Sequence, residues 1–475
     1  MSTVTAPAAP PAASAPHRRA PLWLAIVATA LPMFMATLDN LVMTNALPVI
    51  QREFDATLEQ LQWFMNAYTL AFASFILFAV ALGDRFGRRH VFVAGVVVFT
   101  LASAAAALSS EPWQLVIARA VQGFGGAAIM PLSLTLLVGS VGPERRSMAI
   151  GIWGGIAGLG VALGPLIGGA VLEGWNWEAI FWINVPVGVV GTVLAIVAIP
   201  NSFGARLRAD VLGVLLAGIG VLAVVFGIVR GNDDGWDSLT VLGSLVGGAA
   251  LLGAFILWES RTSAPLLPLG LFRDRSFTIA NVVGLAFSFG AFGSIFILIQ
   301  FMQVVQGTTA LEAGIRTMPW TLAPLVIAPL TGFLVPRFGT RALIVAGLTL
   351  QAGGMVWLAL VMSADSTFLD MLVPFIMEGV GMSLVFAPSS TAVLANMSAE
   401  NTAKASGTNS TMREIGTALG IAVLTAVFTG AGGELTPTGY VDAAVPAVLT
   451  GAGALALAAI VALLLPLGRP APSVG

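Results

Sequence analysis

Long runs of apolar residues alternate with short polar or Gly/Pro-rich turns along almost the whole chain. Fourteen such runs can be counted, near 22–48, 58–82, 91–108, 113–139, 147–172, 179–199, 210–229, 238–258, 277–304, 313–335, 342–362, 370–395, 406–430 and 442–466. A helix needs about 20 apolar residues to cross a bilayer. Because lipid offers no hydrogen-bond partners to the backbone, the pattern predicts an all-α polytopic membrane protein with 14 transmembrane helices.

The composition agrees with a membrane protein and argues against an enzyme. Charged residues make up 9% of the chain, hydrophobic residues make up 57%, and the mean hydropathy is +0.94. A soluble domain carries about 25% charged residues. There is no cysteine, and the two histidines are His17 and His90. We therefore expect no disulfide, no metal, no cofactor and no catalytic triad. We also expect no nucleic-acid partner.

The charges are sorted by side of the membrane. With the N-terminus inside, the cytoplasmic loops carry Arg85, Arg88, Arg89, Arg145, Arg146, Arg206, Arg208, Arg261, Arg273, Arg275, Arg337 and Arg341. The opposite loops, among them "GNDDGWD" and "SADSTFLD", contain almost no Lys or Arg, with Arg52 and Arg230 as exceptions. This asymmetry follows the positive-inside rule and predicts that both termini are cytoplasmic.

The chain contains an internal repeat. "RFGRR" at 85–89 returns as "RFGTR" at 337–341, and "QGFGGAAIMP" at 122–131 has a fainter echo in "EGVGMSLVFAP" at 378–388. If the recurrence is not chance, the spans form two parallel six-helix halves, an architecture of transporters. The predicted parts are a disordered cytoplasmic tail (1–20), an N-terminal half (21–200), two inserted peripheral helices with linkers (201–275), a C-terminal half (276–466) and a cytoplasmic tail (467–475).

One cytoplasmic turn, "GDRFGRRH" at 83–90, concentrates charge between two apolar runs. Asp84 can accept hydrogen bonds from Arg85, Arg88 or Arg89 and from helix N-termini. Gly87 permits a tight turn. The turn is therefore a candidate gating element that holds the cytoplasmic ends of the halves in one state and releases them in another.

This turn and four other stretches resemble the major facilitator superfamily. "LGDRFGRRH" is similar to the family's loop 2–3 signature, although Val80 replaces its first Gly, and the second copy, "VPRFGTRA", lacks the Asp. "RAVQGFGG" (119–126) resembles the helix 4 signature, and "GVALGPLIGG" (160–169) resembles the helix 5 pattern of antiporters. "LDNLVMTNALPVI" (38–50) resembles helix 1 of the fourteen-span drug:H⁺ antiporter branch, with Leu41 and Thr44 as departures. "MREIGTALGIAV" is also similar to that branch.

Ionisable residues inside the spans are candidates for proton coupling. Asp39, Arg119 and Glu378 are all predicted to lie in the outer half of the bilayer. A carboxylate whose surroundings alternate between an apolar cavity and a nearby guanidinium takes up and releases protons. The resemblance implies a coupling role for Asp39 and a structural or relay role for Arg119. The alternatives are a static bond from Asp39 to Arg119 or Asn45, and a water-facing Glu378 near the outer mouth.

Two further sets have both a functional and a structural interpretation. Arg413 and Glu414 are either a relay or a snorkelling charge with its partner. The helix 5 set is either an antiporter motif or generic close packing; it comprises Gly160, Gly164, Pro165, Gly168 and Gly169.

Several aromatic and amide side chains are candidates for a substrate cavity, with lipid-facing or interfacial positions as the alternative. They are Trp63, Tyr68, Gln122, Trp153, Phe296, Gln300 and Gln303. An apolar cavity with one or two acids suits lipophilic molecules, cationic ones included.

The sequence thus predicts a monomeric proton-coupled antiporter that exports drugs, antibiotics or toxic metabolites across a bacterial inner membrane. With no phosphate-binding loop, an ion gradient is the expected energy source. The rival interpretation is a proton-linked uptake permease for a nutrient or an organic anion. A membrane-embedded enzyme lacks a catalytic constellation, and a receptor would be expected to carry an output domain.

Overall fold

The structure is a computed structural model that describes residues 21–141, 146–204, 210–263, 265–397, 402–437 and 439–466. The predicted tails, 1–20 and 467–475, lie outside these residues. So do Arg145, Arg206 and Arg208 of the predicted cytoplasmic loops.

The described residues form helices, turns and irregular segments, with no strand among them. The helices of the first part are α1 (Leu22–Phe54), α2 (Leu58–Phe86), α3 (Arg88–Ala107), α4 (Pro112–Ser140), α5 (Arg146–Gly174), α6 (Ala179–Trp182) and α7 (Asn184–Ala198). They are followed by α8 (Val211–Asp234), α9 (Leu239–Glu259), a 3₁₀ turn (Leu269–Arg273), α10 (Arg275–Gln300), a π-helical turn (Phe301–Val305), α11 (Ala310–Val361), α12 (Phe368–Leu394), α13 (Thr402–Gly430) and α14 (Val441–Ala462).

Several helix starts have residues that suit the free backbone N–H groups of a first turn. Thr57 and Gln60 form a capping box at the start of α2, and Thr367 and Asp370 form one at the start of α12. Pro112 occupies the first turn of α4, where its missing N–H costs nothing.

Twelve helices among the described residues are long and apolar enough to cross a membrane. One of them joins α6 and α7 over Ala179–Ala198, and another, Leu334–Val361, is the second part of α11. The two other predicted runs, near 147–172 and 313–335, lie in α5 and in the first part of α11. The count of fourteen spans stays a prediction.

The predicted turn between the runs 313–335 and 342–362 is a sharp kink within α11. Gly339 at the kink has a non-helical backbone with φ 77°, so α11 consists of two helices that meet there. Gly87, the equivalent residue of the first "RFGxR" copy, has φ 104°. Both glycines adopt a conformation that side chains resist, and both allow a tight turn between two spans.

The internal repeat is visible in the helix contacts. Gly123 of α4 lies against the backbone of Tyr68, and Gly379 of α12 lies against the backbone carbonyl of Trp320. In the same way, Gly125 and Gly95 are in backbone contact on α4 and α3, while their counterparts Gly381 and Gly347 are in contact on α12 and α11. Small residues let the helix backbones approach closely at corresponding places 252–256 residues apart.

The predicted halves (21–200 and 276–466) meet along two seams. At one seam α5 packs on α11, and at the other α2 packs on α13. Helices α8 and α9 lie at the periphery, where α8 contacts α2 and α13, and α9 packs mainly on α8. We call the side with the turns at 55–57, 108–111 and 235–238 the outer side, because the loops there carry almost no Lys or Arg.

We predict that Gly123→Ala destabilises the protein, because the added methyl group would collide with the backbone of Tyr68. Overpacking of this kind typically costs about 1–3 kcal/mol. Gly139→Ala, on the same helix, is the matched control, since no atom lies within 4 Å of the position of its added Cβ. Thermal unfolding of the detergent-purified variants, followed by tryptophan fluorescence, measures the difference. Equal midpoints for the two variants would show that the α2–α4 contact is not tight.

Candidate functional site

A buried polar network lies in the N-terminal half where α1, α3, α4 and α7 meet. Asp39 Oδ2 accepts a hydrogen bond from Arg119 Nη1 at 2.5 Å. Asp39 Oδ1 accepts one from Gln122 Nε2 at 2.9 Å and one from Asn184 Nδ2 at 2.7 Å. Ser103 Oγ accepts from Gln122 Nε2 at 2.8 Å. Both oxygens of the carboxylate are therefore satisfied.

Arg119 is fixed on several sides at once. Its Nη1 also donates to Gln122 Oε1 at 2.7 Å, and its Nε donates to the Phe64 carbonyl at 3.1 Å. The guanidinium carbon lies 4.5 Å from the ring centre of Tyr68, a distance at which a cation–π attraction operates. Arg119 and Gln122 are fully buried, and Asp39 is 3% exposed.

This network balances one negative and one positive charge inside the bundle. Isolated charges are costly in such surroundings, whereas an ion pair with further hydrogen bonds is tolerated. Both Asp39 oxygens have donors, while Arg119 Nη2 has no acceptor among the described residues. The predicted proximity of Asp39 and Arg119 is present in the structure. Gln122, predicted to line a cavity, lies within the network. The alternative partner of Asp39, Asn45, bonds elsewhere.

Glu378 on α12 has a different environment. It is fully buried, its Oε2 accepts from Gln351 Nε2 at 3.3 Å, and its Oε1 has no hydrogen-bond partner among the described residues. Its hydrogen-bond partner, Gln351, belongs to α11, and Gly354 of the same helix lies beside Oε1. No ion pair to Glu378 occurs in the described part of the chain. The alternative of a water-facing acid near the outer mouth is therefore wrong for this conformation.

Arg413 and Glu414 are adjacent on α13 and face different surroundings. The Arg413 guanidinium lies 3.6 Å from the ring centre of Phe386 on α12, and its side chain packs on Gly284 of α10. Glu414 is partly buried. Arg413 is half-buried where α10, α12 and α13 meet, and both the relay and the snorkelling interpretations stay predictions.

The outer ends of the two halves are joined through Asn45 of α1. Its Nδ2 donates to the Pro165 carbonyl at 3.0 Å and to the Ala310 carbonyl at 2.8 Å. Gln303 Nε2 donates to the Asn45 backbone carbonyl at 2.9 Å and to Asn45 Oδ1 at 3.1 Å. Since Ala310 and Gln303 belong to the C-terminal half, Asn45 fastens both halves at the outer side.

The helix 5 glycines form contacts on two sides. Gly160, Gly164 and Gly168 lie against Thr37, Leu41 and Val42 of α1. Gly169 faces the backbone of Ala310 and Leu311 across the seam, and Gly314 of α11 faces the Pro165 backbone. A side chain at Gly169 or Gly314 would separate the α5 and α11 backbones, so these positions set the closeness of the outer contact.

The charged 83–90 turn is bonded to the segment that follows α7. Asp84 Oδ1 accepts from Arg88 Nε at 2.7 Å, and the Arg88 backbone N–H donates to the Ser202 carbonyl at 2.8 Å. Arg89 Nη1 donates to the Ile199 carbonyl at 3.1 Å. Arg85 is exposed, with its guanidinium 5.2 Å from the ring centre of Phe86. In this conformation the turn's hydrogen bonds hold residues 199–204; its predicted gating role stays a prediction.

The other predicted cavity residues are dispersed. Trp63 lies 6.2 Å from Phe226 of α8, measured between ring centres, and Trp153 donates to Ser133 Oγ at 2.9 Å. Gln300 donates to the carbonyl of Phe296 at 3.2 Å, and both side chains are buried. Of this predicted set, Tyr68 and Gln122 belong to the Asp39 network and Gln303 belongs to the outer contact.

A small apolar cavity lies between the halves. Its walls are Leu41 of the N-terminal half and, from the C-terminal half, Ala291, Phe292, Ile295, Trp320, Thr321 and Met382. Its volume is about 10 Å³, room for about one water molecule. Drug-sized ligands occupy pockets of about 300–1,000 Å³, so this cavity has to widen to admit one. In the described ranges, no group of three or more His, Cys, Asp or Glu is placed to hold a metal ion.

Several site residues were missed because they carry no charge. Ser103 and Asn184 complete the Asp39 network, and Gln351 is the partner of Glu378. The sequence does mark these residues, because uncharged polar residues within apolar runs also need buried hydrogen-bond partners. A search of the spans for Asn, Gln and Ser would have found all three.

Comparison with known proteins gives a consistent result. The family model described as Major Facilitator Superfamily matches residues 29–421 and 281–474. The chain is similar to the tetracenomycin C resistance and export protein of Streptomyces glaucescens, with 33% identity over 428 residues, 90% of this chain and 79% of that protein. It is also similar to the multidrug resistance protein Stp of Mycobacterium tuberculosis, with 36% identity over 407 residues, 85% of this chain and 75% of that protein.

A solved structure shares the fold. The crystal structure of a POT family transporter in complex with 5-aminolevulinic acid superimposes with a TM-score of 0.69 at 14% identity. The match covers 92% of this chain and 94% of that chain. At this identity the likeness establishes the fold alone.

We predict that Arg119→Gln destabilises the protein more than the double variant Asp39→Asn/Arg119→Gln. The single substitution leaves a buried carboxylate without its cation, which costs about 3–5 kcal/mol, whereas the double variant removes both charges. Thermal midpoints of wild type, both single variants and the double variant form a double-mutant cycle. Additive effects would mean that the two side chains do not stabilise each other.

Proposed function

The chain belongs to the major facilitator superfamily, and we propose that it is a proton-coupled antiporter that exports lipophilic small molecules by alternating access. The names of the two bacterial relatives, one an export protein for tetracenomycin C and the other a multidrug resistance protein, support export of antibiotics and drugs. We assign it to the fourteen-span drug:H⁺ antiporter branch. The proposed location is a bacterial inner membrane with both termini in the cytoplasm.

The proposed layout is two six-helix halves with α8 and α9 inserted between them. It is supported by the recurring glycine contacts, in which Gly123 and Tyr68 correspond to Gly379 and Trp320. The two "RFGxR" turns also support it, because the glycine of each turn has a positive φ. In this layout the substrate path runs between the halves.

The observation that carries the proton-coupling proposal is the contrast between the two buried acids. Asp39 has an arginine and two amide donors, so its charge is matched where it lies. Glu378 is fully buried with one amide donor and one oxygen without a partner. Burial without a cation favours the neutral form of a carboxyl group, so in this proposal Glu378 is the acid that carries the proton. When water or a cation reaches it in another state, the proton can leave.

The proposed transport cycle is built from the positions of Asn45, Gln303 and Glu378. In the outer-closed conformation described here, Asn45 and Gln303 join the halves on the outer side. Opening toward the outside requires these hydrogen bonds and the Gly169–Leu311 contact to break. A proton that enters Glu378 from outside and leaves toward the cytoplasm supplies the free energy for substrate movement in the opposite direction. Asp39 and Arg119, on helices α1 and α4 beside the path, are the proposed structural and coupling pair.

We predict that Glu378→Gln abolishes substrate-driven proton movement while substrate exchange without a gradient continues. Glutamine keeps the shape and the bond to Gln351 but cannot titrate. Purified protein in liposomes with an internal pH-sensitive dye, given a proton gradient and a lipophilic cation such as ethidium, measures proton flux. We expect flux at the level of protein-free liposomes for Glu378→Gln and reduced flux for Asp39→Asn.

The controls are Glu434→Gln and Asp365→Asn, which remove acids that are exposed on outer loops. Both should behave as wild type. If Glu378→Gln keeps full proton flux, Glu378 is not the carrier. If no lipophilic compound moves protons in wild type, the export proposal fails and an uptake permease for a specific nutrient or organic anion replaces it.

We also predict that Asn45→Ala shifts the protein toward an outer-open state. The substitution removes three side-chain hydrogen bonds at the junction, each worth about 1 kcal/mol. Because the chain has no cysteine, Leu41→Cys, one turn inward from Asn45, provides a unique thiol. Its reaction with a membrane-impermeant thiol reagent added outside should be faster with Asn45→Ala. Thr44→Ala is the control, since the Thr44 hydroxyl donates to the Asn40 carbonyl of α1 and to Met65 Sδ of α2, both in the N-terminal half. Equal rates in the two backgrounds would remove Asn45 from the closure.

A further inference from the structure

Helix α8 lies across the seam between the two halves. One apolar cluster contains residues of α2, α8 and α13 together: Leu70, Val221, Val225, Val229, Ala418 and Ala422. Nearer the cytoplasmic side, Gly218 of α8 faces Ser74 of α2. The inserted helix therefore contacts both halves along its length.

At its outer end α8 is ion-paired with the N-terminal half. Arg230 Nη1 donates to Glu59 Oε2 of α2 at 3.1 Å. The same guanidinium also makes two bonds within α8, from Nη2 and Nε to the two Asp234 oxygens, each at 2.9 Å. The Arg230 and Glu59 side chains are 34% and 24% exposed. This contact lies at the solvent-accessible margin of the outer side.

Two residues further on, α8 is bonded to the C-terminal half. Asn232 Nδ2 donates to the Ala426 carbonyl and to Thr429 Oγ1 of α13, both at 2.5 Å. Trp236 Nε1 donates to Asn232 Oδ1 at 2.8 Å and so fixes the amide orientation. An open groove of about 530 Å³ lies between the outer ends of α8 and α13, with Asn232 and Trp236 on one side and Ala426 and Gly430 on the other. Asn232 supplies the side-chain hydrogen bonds across it.

We propose that α8 is a strap between the halves: Asn232 anchors it to the C-terminal half, and the Arg230–Glu59 pair is a releasable latch that favours the outer-closed state. The proposal rests on alternating access, the transport mode proposed above. It gives the inserted helices a role in setting the balance between the two states.

The two attachments of α8, through Arg230 and through Asn232, differ in what is lost when each one breaks. When Glu59 moves away, Arg230 keeps its two bonds to Asp234, and Glu59 becomes hydrated, so the loss is that of an exposed ion pair. When Asn232 moves away, a hydroxyl and a carbonyl in a partly buried position lose their donor, and Trp236 loses its acceptor. The Arg230–Glu59 pair is therefore the weaker contact, and α8 moves with α13.

Spin-label distances in lipid nanodiscs test the latch on the full chain. The absence of cysteine allows labels at chosen exposed sites: Glu111→Cys on the N-terminal half, Ala364→Cys on the C-terminal half and Thr240→Cys beside the α8–α9 turn. The 111–364 pair reports outer opening. The 240–364 and 240–111 pairs report which half carries the inserted helices.

We expect Glu59→Gln and Arg230→Gln each to raise the ratio of outer-open to outer-closed molecules, by up to about fivefold, the upper limit for an exposed ion pair. The double variant should show no further increase, because either substitution removes the same contact. Asp233→Asn is the matched control, an exposed neighbouring acid for which no hydrogen bond is present among the described residues. In molecules that open, the 240–364 distance should stay constant while the 240–111 distance increases. Asn232→Ala should broaden the 240–364 distribution.

Two results would overturn the strap. If the outer side opens but Glu59→Gln and Arg230→Gln match Asp233→Asn, there is no latch. If the 240–111 distance stays constant while the 240–364 distance changes, α8 moves with the N-terminal half and the proposal is wrong. A single unchanged 111–364 distance in every variant and at every pH would contradict alternating access itself, and with it both proposals.

Discussion

A charge inside the apolar bundle must be matched at the place where it lies, because neither lipid nor packed helices can solvate it. In the N-terminal half this requirement draws four helices together. Asp39 on α1 needs Arg119 on α4, and the remaining lone pairs need Gln122 and Asn184. Once these bonds form, the relative positions of α1, α3, α4 and α7 are fixed, and the Arg119 guanidinium is held over Tyr68 on α2.

The C-terminal half also contains a buried acid, but its surroundings differ from those of Asp39. The repeat places Glu378 where the first half has Gln122, and Phe375 where it has Arg119, so the acid has no cation on its own helix. A neutral amide, Gln351, is its hydrogen-bond partner. One half thus contains a buried ion pair, and the other contains a buried acid with no ion pair among the described residues. In the antiporter proposed above, Glu378 takes up and releases the proton while the Asp39–Arg119 pair stays in place.

In the alternating-access cycle proposed above, movement between the halves separates close backbone contacts and breaks a small set of side-chain hydrogen bonds. At one seam, Gly169 and Gly314 let the α5 and α11 backbones touch, and Asn45 adds directional bonds. At the other seam, α8 covers the junction of α2 and α13 and is bonded to both. The glycines allow close packing across the seam, and the hydrogen bonds of Asn45 and Gln303 add direction to that packing.

The sequence by itself determined the helical class, the approximate position of most spans and the recurrence of the "RFGxR" turn. It could do so because hydropathy and charge are local properties, and lipid imposes them on each span separately. It also placed Asp39 and Arg119 at one level, although Asn45, suggested as a partner of Asp39, bonds across the seam instead. Only the tertiary structure decided that Glu378 lacks a cation, that Gln122 belongs to a network rather than a cavity wall, and that α8 joins both halves. These facts depend on which helices are neighbours in the bundle and on which of their faces are in contact. That arrangement is set by packing among all the helices, so it cannot be read from the sequence of any one span.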